Sequence, residues 1–399
     1  MQKLEQQFTI QYAFPVLFTR DVFRTEDKHL ASVVSQGGGK RHKILCFIDS
    51  GVLEQNPTLG DRIEHYAAAH SEVMQLCRIL TIPGGEPCKT KTSVIDTIVR
   101  HIHGHHLCRQ SFVLVIGGGA VMDVVGYGAA IAHRGLRLIR MPTTVLGQND
   151  AGVGVKNGIN ALGRKNFLGT FAPPFAVIND FTFLETLPPR QLRAGLAEAV
   201  KVSLIKDNAF FNYLHEHRHS LAAFDRQPME KMIYQCAALH MHHIGTQGDP
   251  FEFGSARPLD FGHWSAHKLE EMTGSMINHG EAVSMGIALD SFYSCLSGMI
   301  GQSELQRIFT LLTDLGLPLY HPALNQLDIS TALHEFQEHL GGELAITLLT
   351  GIGSKKEVNR IDILLMKHCI AELALRFDGS NALAENEQAG LLPLYWALN

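Results

Sequence analysis

The stretch Phe112–Asp123, FVLVIGGGAVMD, decides the fold. Five apolar residues, Phe112–Ile116, form a run with no polar alternation, as a strand has when both faces are covered inside a parallel sheet. Gly117-Gly118-Gly119 stops it, and the spacing from Ala120 to about His133 predicts a helix. Working outward, Ile44–Ile48 (ILCFI) is a second strand, ended by Asp49-Ser50-Gly51. Leu59–Leu76 has helical spacing, Cys77–Ile82 reads as a strand, Thr92–His103 as a helix and Leu136–Met141 as the next strand. Strand and helix alternate, so residues 1–187 are expected to be an α/β domain with a Rossmann-like, doubly wound parallel sheet. Beyond Pro188 the patterns turn helical: Arg190–Lys206, Met229–Ile244, His263–Thr273, Glu281–Leu296, Ser303–Leu315 and Ile329–Leu340. Residues 188–399 are expected to form a second, mostly α-helical domain.

Bulk properties narrow the function. At 399 residues the chain is long for one core, which also argues for two domains. A net charge of −5 gives no general affinity for nucleic acid or acidic membranes. The apolar run Phe112–Ala132 is broken by Asp123 and several glycines, so no membrane segment is expected. The opening MQKLEQQFTIQYAF lacks a charged-then-apolar leader, and seven cysteines without a CxxC pair read as reduced thiols; a cytoplasmic protein is expected.

Several clusters carry chemistry. IGGGAVMDVVG lets a phosphate approach backbone N–H groups where a helix begins, or makes a tight turn; it is not GxGxxG. Asp123, one turn into that helix, faces a ribose or nicotinamide edge or is a solvated helix residue. Thr143 and Thr144 put two hydroxyls at a strand end. Lys156, Arg164, Lys165 and Asn166 interleave cations and an amide with glycine, a phosphate cradle or an exposed basic loop. Glu198 and Lys201 share a helix face, as an ion pair or as part of a metal set. GHWSAHKLEEMTGSMINHGE, residues 262–281, holds His263 and His267 four apart and His279 beside Gly280, a set suited to a tetrahedral divalent metal. His101, His103, His105 and His106 (HIHGHH) read as a surface turn.

Taken in order, PGGEPCK (83–89), GGGAVMD (117–123), AHRG (132–135), MPTT (141–144), DAGVGVKNGIN (150–160), GRKNFLG (163–169), LPPRQLRAGLAEAVK (187–201), GHWSAH (262–267) and HGEAV (279–283) resemble the sugar phosphate cyclase superfamily, best known for 3-dehydroquinate synthase. The resemblance implies a Rossmann-like NAD domain, a helical metal domain, an active site between them and a homodimer. It implies Glu198, His263 and His279 as ligands of zinc or cobalt. It implies Asp49, Glu86, Lys89, Gly118, Gly119, Asp123, Thr143 and Thr144 as NAD contacts. Asp150, Lys156, Lys165, Asn166, Arg134, Lys201, Asp260 and His267 would line the substrate site, several near its phosphate. His267 thereby moves from the ligands to the substrate, with a proton relay as its role. The implied reaction oxidises a carbinol with NAD, eliminates phosphate, returns the hydride and closes a carbocycle by an intramolecular aldol step.

The departures bear on substrate. Dehydroquinate synthases place an Arg seven residues before the first ligand His, an Asn three before it and a Lys twenty-one before it. Here those positions are Ala256, Asp260 and His242, with Arg257 adjacent but directed elsewhere. Two cations fewer and one carboxylate more disfavour an anionic carboxylate, so a heptulose phosphate such as sedoheptulose 7-phosphate is expected rather than a heptulosonate phosphate. FQEHLGGELAITLL (336–349) and DAGVGVKNGIN resemble the 2-epi-5-epi-valiolone synthases. RPLDFGHWSAHKLE is most similar to the cyclase-like EboD proteins of ebo gene clusters. A metal-dependent polyol dehydrogenase shares the GGG…D pattern, but a simple alcohol needs no Lys156/Lys165 cradle.

Overall fold

The structure is a computed structural model and describes residues 3–377 apart from 39, 247–250, 252–257, 275 and 341. Its contacts divide the chain into two compact units: residues 1–199 with 223–256, and residues 200–222 with 257–399. The division falls inside one unbroken helix, Pro189–Lys206.

The first unit runs β1 (Val16–Thr19), α1 (His29–Ser35), β2 (His42–Asp49), α2 (Ser50–Gln55), α3 (Leu59–Ala69), β3 (Met74–Ile82), α4 (Thr92–Gly104), β4 (Phe112–Gly117), α5 (Gly119–Ile131), β5 (Arg137–Pro142), β6 (Lys156–Ala161), β7 (Arg164–Phe171) and β8 (Ala176–Asp180). Six strands form one sheet in the order β1-β8-β5-β4-β2-β3, every pairing parallel. The FVLVIG run is β4, buried along its whole length. Its residues alternate between two cores. Phe112, Leu114 and Ile116 join Ile44, Cys46 and Ile48 with Leu59, Ile63 and Tyr66 of α3. Val113 and Val115 join Leu45 and Phe47 with Ile98 and Ile102 of α4 and Val121 and Val125 of α5. A strand that feeds two cores has no face to spare for polar residues, and so shows no alternation.

The chain moves outward from β2 to β3, then returns to place β4 on the other side of β2. The direction of winding reverses there, leaving a crevice at the carboxyl ends of β2 and β4. Two short strands of this sheet have no counterpart among the expected strands: the edge strand β1 and β8, which joins it to β5. The hairpin β6–β7 is a separate antiparallel ribbon, and in it Asn157 pairs with Thr170 and Ala161 with Arg164. The helix expected over Leu59–Leu76 ends at Ala69, because residues 74–82 continue as β3 and pair with β2.

The helices after Asp180 are α6 (Pro189–Lys206), α7 (Asn208–Glu216), α8 (Arg218–Ala222), α9 (Arg226–Thr246), α10 (His263–Met272), α11 (His279–Leu296), α12 (Gln302–Asp314), α13 (Ile329–His339) and α14 (Ile363–Phe377), with the hairpin β9 (Ile346–Gly351)–β10 (Ser354–Val358) before the last. In the second unit α11 is central: apart from Glu281, every residue from Gly280 to Cys295 is buried. A helix apolar all round must be enclosed, and α10, α12, α14 and β9 pack around it. No described helix is long and apolar enough to cross a membrane. All seven cysteines are free thiols.

Candidate functional site

The glycine loop lies in the crevice the topology predicts. Gly118 is the N-cap of α5 and offers no side chain, so the first-turn N–H groups are left for an outside acceptor. Asp49, the last residue of β2, accepts from Gly51 N at 2.9 Å and also from the backbone N–H of Gly118. Burial raises its pKa, and these N–H donors pull the other way. Glycine is required around it: a Cβ at Gly84 would sit 2.3 Å from Asp49 Oδ1. The chemistry fits a dinucleotide, with uncapped N–H groups at a helix start for phosphate and a carboxylate at the neighbouring strand end for a ribose hydroxyl.

Beside it is a polar network. Buried Lys89 donates to Asp123 Oδ2 at 2.7 Å and to Asn166 Oδ1. Burial pushes the Asp123 carboxyl up, with Lys89 opposing. Asn160 ties the rest together: its Nδ2 donates to Glu86 Oε1 at 2.9 Å and its Oδ1 accepts from Asn166 N at 2.9 Å. Glu86, Lys89, Asp123 and Asn166 are therefore one group, although the sequence reading split them between cofactor and substrate. Asn160 closes DAGVGVKNGIN with no local signal for this role. Thr143 is buried; Thr144 Oγ1 accepts from Gly147 N at 3.0 Å, closing its own turn.

Asp150 ends the sharp turn of residues 147–151, and its Oδ1 lies 2.7 Å from His240 Nδ1 of α9. Lys156 is exposed at the start of β6 and Lys165 is half-buried on β7. Arg140, fully buried on β5, reaches the segment that leads into β6. Its guanidinium donates to the carbonyls of Gly152 (3.2 Å), Gly154 (2.7 Å) and Lys156 (3.0 Å) and to Asn157 Oδ1 (2.7 Å). Burial lowers its pKa to about 10, so it stays cationic. Nothing in the RMPTT motif flagged this role. Arg134 lies at the far end of α5 from the glycine loop. It sits in an exposed turn with φ 65 after α5, whose 13 residues put about 20 Å between it and the glycine loop.

The second cluster is built from helices. One ligand atom each from Glu198, His263 and His279 lie within 4.8 Å of one another. Glu198, fully buried, rides on α6, which continues into the second unit and carries buried Lys201 one turn later. His263 opens α10. His279 opens α11, where Asn278 and Glu281 form a capping box: Asn278 Oδ1 accepts from Glu281 N and Glu281 Oε2 from Asn278 N, both at 2.9 Å. Each imidazole is oriented through Nδ1, His263 against the Phe261 carbonyl at 3.0 Å and His279 against Glu270 Oε2 at 3.2 Å. One ring nitrogen held against a carbonyl or carboxylate is the arrangement ligating histidines use. Burial, then Lys201 and the other two histidines, hold the His263 pKa well below its usual value, so the ring is neutral, as a ligand must be. Two imidazoles and a buried carboxylate fit zinc.

His267 stays outside this ligand group. Its ring stacks 6.3 Å from that of His279 and stands edge-on to His263 at 5.4 Å. Asp260 is half-buried in the turn Pro258–Asp260 just before. His242 is exposed on α9, and Ala256 and Arg257 lie outside the described residues. The orienting Glu270 was legible only as part of an exposed-looking EE pair.

A parallel sheet with a glycine-capped helix at its switch point, followed by helices that gather Glu, His and His, defines a nucleotide-and-metal class of enzyme fold. Profiles of the 3-dehydroquinate synthase N-terminal and C-terminal regions match residues 79–194 and 195–339. The chain belongs to the 3-dehydroquinate synthase family, whose relatives here are sugar phosphate cyclases of the lyase class. A 2-epi-5-epi-valiolone synthase of Streptomyces glaucescens is 37% identical over 355 residues, 86% of this chain and 86% of that protein. A 3-dehydroquinate synthase of Sulfurovum sp. (strain NBC37-1) is 32% identical over 327 residues, 82% of this chain and 91% of that one. Among solved structures, the 2-epi-5-epi-valiolone synthase ValA of Streptomyces hygroscopicus subsp. jinggangensis 5008, with NAD+ and Zn2+ bound, matches with a TM-score of 0.82 at 28% identity, covering 94% of this chain and 100% of that chain.

Proposed function

We propose that this chain is an NAD- and zinc-dependent sugar phosphate cyclase that converts sedoheptulose 7-phosphate to a C7 cyclitol with loss of phosphate. The gathering of Glu198, His263 and His279, each imidazole oriented through Nδ1, carries the reading. Likeness to valiolone synthases at up to 37% identity and the uncapped glycine start of α5 support it. When bound, zinc supplies charge that acidifies substrate hydroxyls, and NAD supplies a hydride acceptor that is restored each turnover.

The chain's own residues do the rest. The α5 N–H groups and Asp49 hold the dinucleotide, and the Lys89–Asp123 pair with Asn166 fixes the polar wall beside it. Lys156 and Lys165 offer cations to the substrate phosphate. Arg140, by gripping the carbonyls of residues 152, 154 and 156, fixes the segment that presents Lys156. Buried Lys201 lies beside the histidines, where it helps to hold the His263 pKa down, and His267 serves as the proton relay without being a ligand. Asp260 and His242 stand where dehydroquinate synthases keep an Asn and a Lys, which disfavours a substrate carboxylate. The family implies a homodimer as part of the same proposal, and RPLDFGHWSAHKLE extends it to the EboD group.

The test supplies purified protein, NAD and zinc with sedoheptulose 7-phosphate or with a heptulosonate phosphate, following phosphate release, net NADH and product mass. Phosphate release and a cyclitol from the first, without net NADH, is the expected result. Turnover of the heptulosonate phosphate alone makes the chain a 3-dehydroquinate synthase. Net NADH without phosphate release makes it a polyol dehydrogenase.

A further inference from the structure

The residues on either side of His263 are held by one side chain. Asp290, fully buried on α11, accepts the Gly262 backbone N–H on Oδ2 at 3.1 Å and the Trp264 indole N–H on Oδ1 at 2.9 Å. Gly262 is left-handed, with φ 76, and lies directly against α11. A Cβ on Gly286 would fall 1.9 Å from the Gly262 carbonyl oxygen, and a Cβ on Gly262 would fall 2.7 Å from the Ile287 nitrogen. Phe261, one residue earlier, is fully buried and offers the carbonyl that faces His263 Nδ1. Thus the backbone before the ring and the side chain after it are both fixed to Asp290, and the ring itself to the Phe261 carbonyl.

A carboxylate in this place is expensive. Burial pushes its pKa up to about 7, and the two N–H donors only partly offset the lost hydration. An apolar pair of similar volume would join α10 to α11 at least as firmly. What an apolar pair does not supply is direction. The two carboxylate oxygens are set at a fixed spacing and each takes one donor, so the first turn of α10 has one orientation on α11. A metal ligand needs that, because a few tenths of an ångström at the ligand nitrogen is outside the tolerance of a zinc bond.

We propose that Asp290 is a positioning residue for the metal ligand His263: its carboxylate and the Trp264 indole form a buried clamp that fixes the backbone on both sides of the ring and so aims the ring. The clamp rests on reading Glu198, His263 and His279 as metal ligands.

Two variants probe it. Trp264→Phe keeps most of the ring and deletes the indole N–H. Asp290→Asn keeps the size and replaces one acceptor oxygen with a donor. Each full-length protein is stripped with a chelator, then titrated with zinc against a chromogenic competitor. Cobalt is bound in parallel and its visible spectrum recorded, and the stripped proteins are melted as a check on folding. Both variants are expected to bind zinc about ten- to a hundredfold more weakly than the parent. The cobalt spectrum should shift, while Trp264→Phe melts near the parent. A purely structural contact would lower the melting temperature and leave zinc affinity and the cobalt spectrum alone. His263→Ala is the reference. If the parent binds zinc no better than His263→Ala, the metal reading fails and the clamp with it. If the parent binds well, His263→Ala does not, and Trp264→Phe keeps the parent's affinity and spectrum, the metal reading stands and the clamp is overturned. Should Asp290→Asn fail to fold, Trp264→Phe decides alone.

Discussion

The glycine crevice and the histidine cluster solve the same problem, holding a charged guest in place, with different parts of the chain. At the crevice the backbone does most of the work: N–H groups at the start of α5, the carboxyl ends of β2 and β4, and glycines that keep side chains out of the way. In the helical cluster side chains do it, and each depends on a second side chain or carbonyl behind it: Glu270 behind His279, the Phe261 carbonyl behind His263. The difference teaches that a backbone site tolerates many neighbours, whereas a side-chain site is only as accurate as its supports.

The largest expected effect breaks one cluster and spares the other. Glu198→Ala removes one of three metal ligands and should lower kcat by about a thousandfold, since metal charge at a developing alkoxide contributes several kcal/mol. The dissociation constant for NAD, followed by quenching of intrinsic fluorescence, should stay within about twofold. Loss of NAD binding in that variant would show that the two clusters are one. The converse is Lys89→Ala, which deletes a buried cation hydrogen-bonded to Asp123 and Asn166. Charge-assisted bonds of this kind contribute about 1.5–3 kcal/mol, so NAD should bind about ten- to a hundredfold more weakly while zinc affinity measured by competition is unchanged.

The smallest effect is a slope. His263 has a folded-state pKa well below the 6.5 of the free side chain. The unfolded chain therefore takes up a proton that the folded chain refuses, so the stripped protein loses stability as pH falls below about 6.5 and gains none above it. Denaturant titrations at pH 5 and pH 7.5 should show a larger fall for the parent than for His263→Ala. Equal falls would mean that His263 does not set this slope.

These regions also differ in how far the chain announces them. FVLVI and GGG are contiguous, and a run of apolar residues that stops at three glycines carries both strand and turn in a dozen letters. Of the residues around them, Asp123 shows in the pattern, one turn into the helix, whereas Asp49 and Lys89 come only from resemblance. The helical cluster was visible as three histidines, but spacing alone favoured His263 with His267, since i and i+4 share a helix face. The ligand group instead takes His279, because the capping box starts α11 there and brings its ring against α10. Glu270, Asp290, Asn160 and Arg140 had no local signal at all. Glu270, Asp290 and Asn160 act on residues 9, 26 and 74 positions away, and Arg140 acts mostly on bare carbonyls, relations that only the folded chain creates. β1 and β8 were missed for a similar reason: strands of four and five residues are too short to show a period.

Arg140 has one more consequence. The carbonyls it grips, at residues 152, 154 and 156, are alternate ones along the run into β6, and the carbonyl of Val155 between them takes the Ala172 N–H instead. In a woven sheet three separate backbone amides would face them. Here a single planar fork faces all three. A lysine in its place would offer its hydrogens from one point and release most of that edge. The loop between β5 and β6 is therefore free to vary in sequence wherever its side chains point outward, provided Arg140 stays.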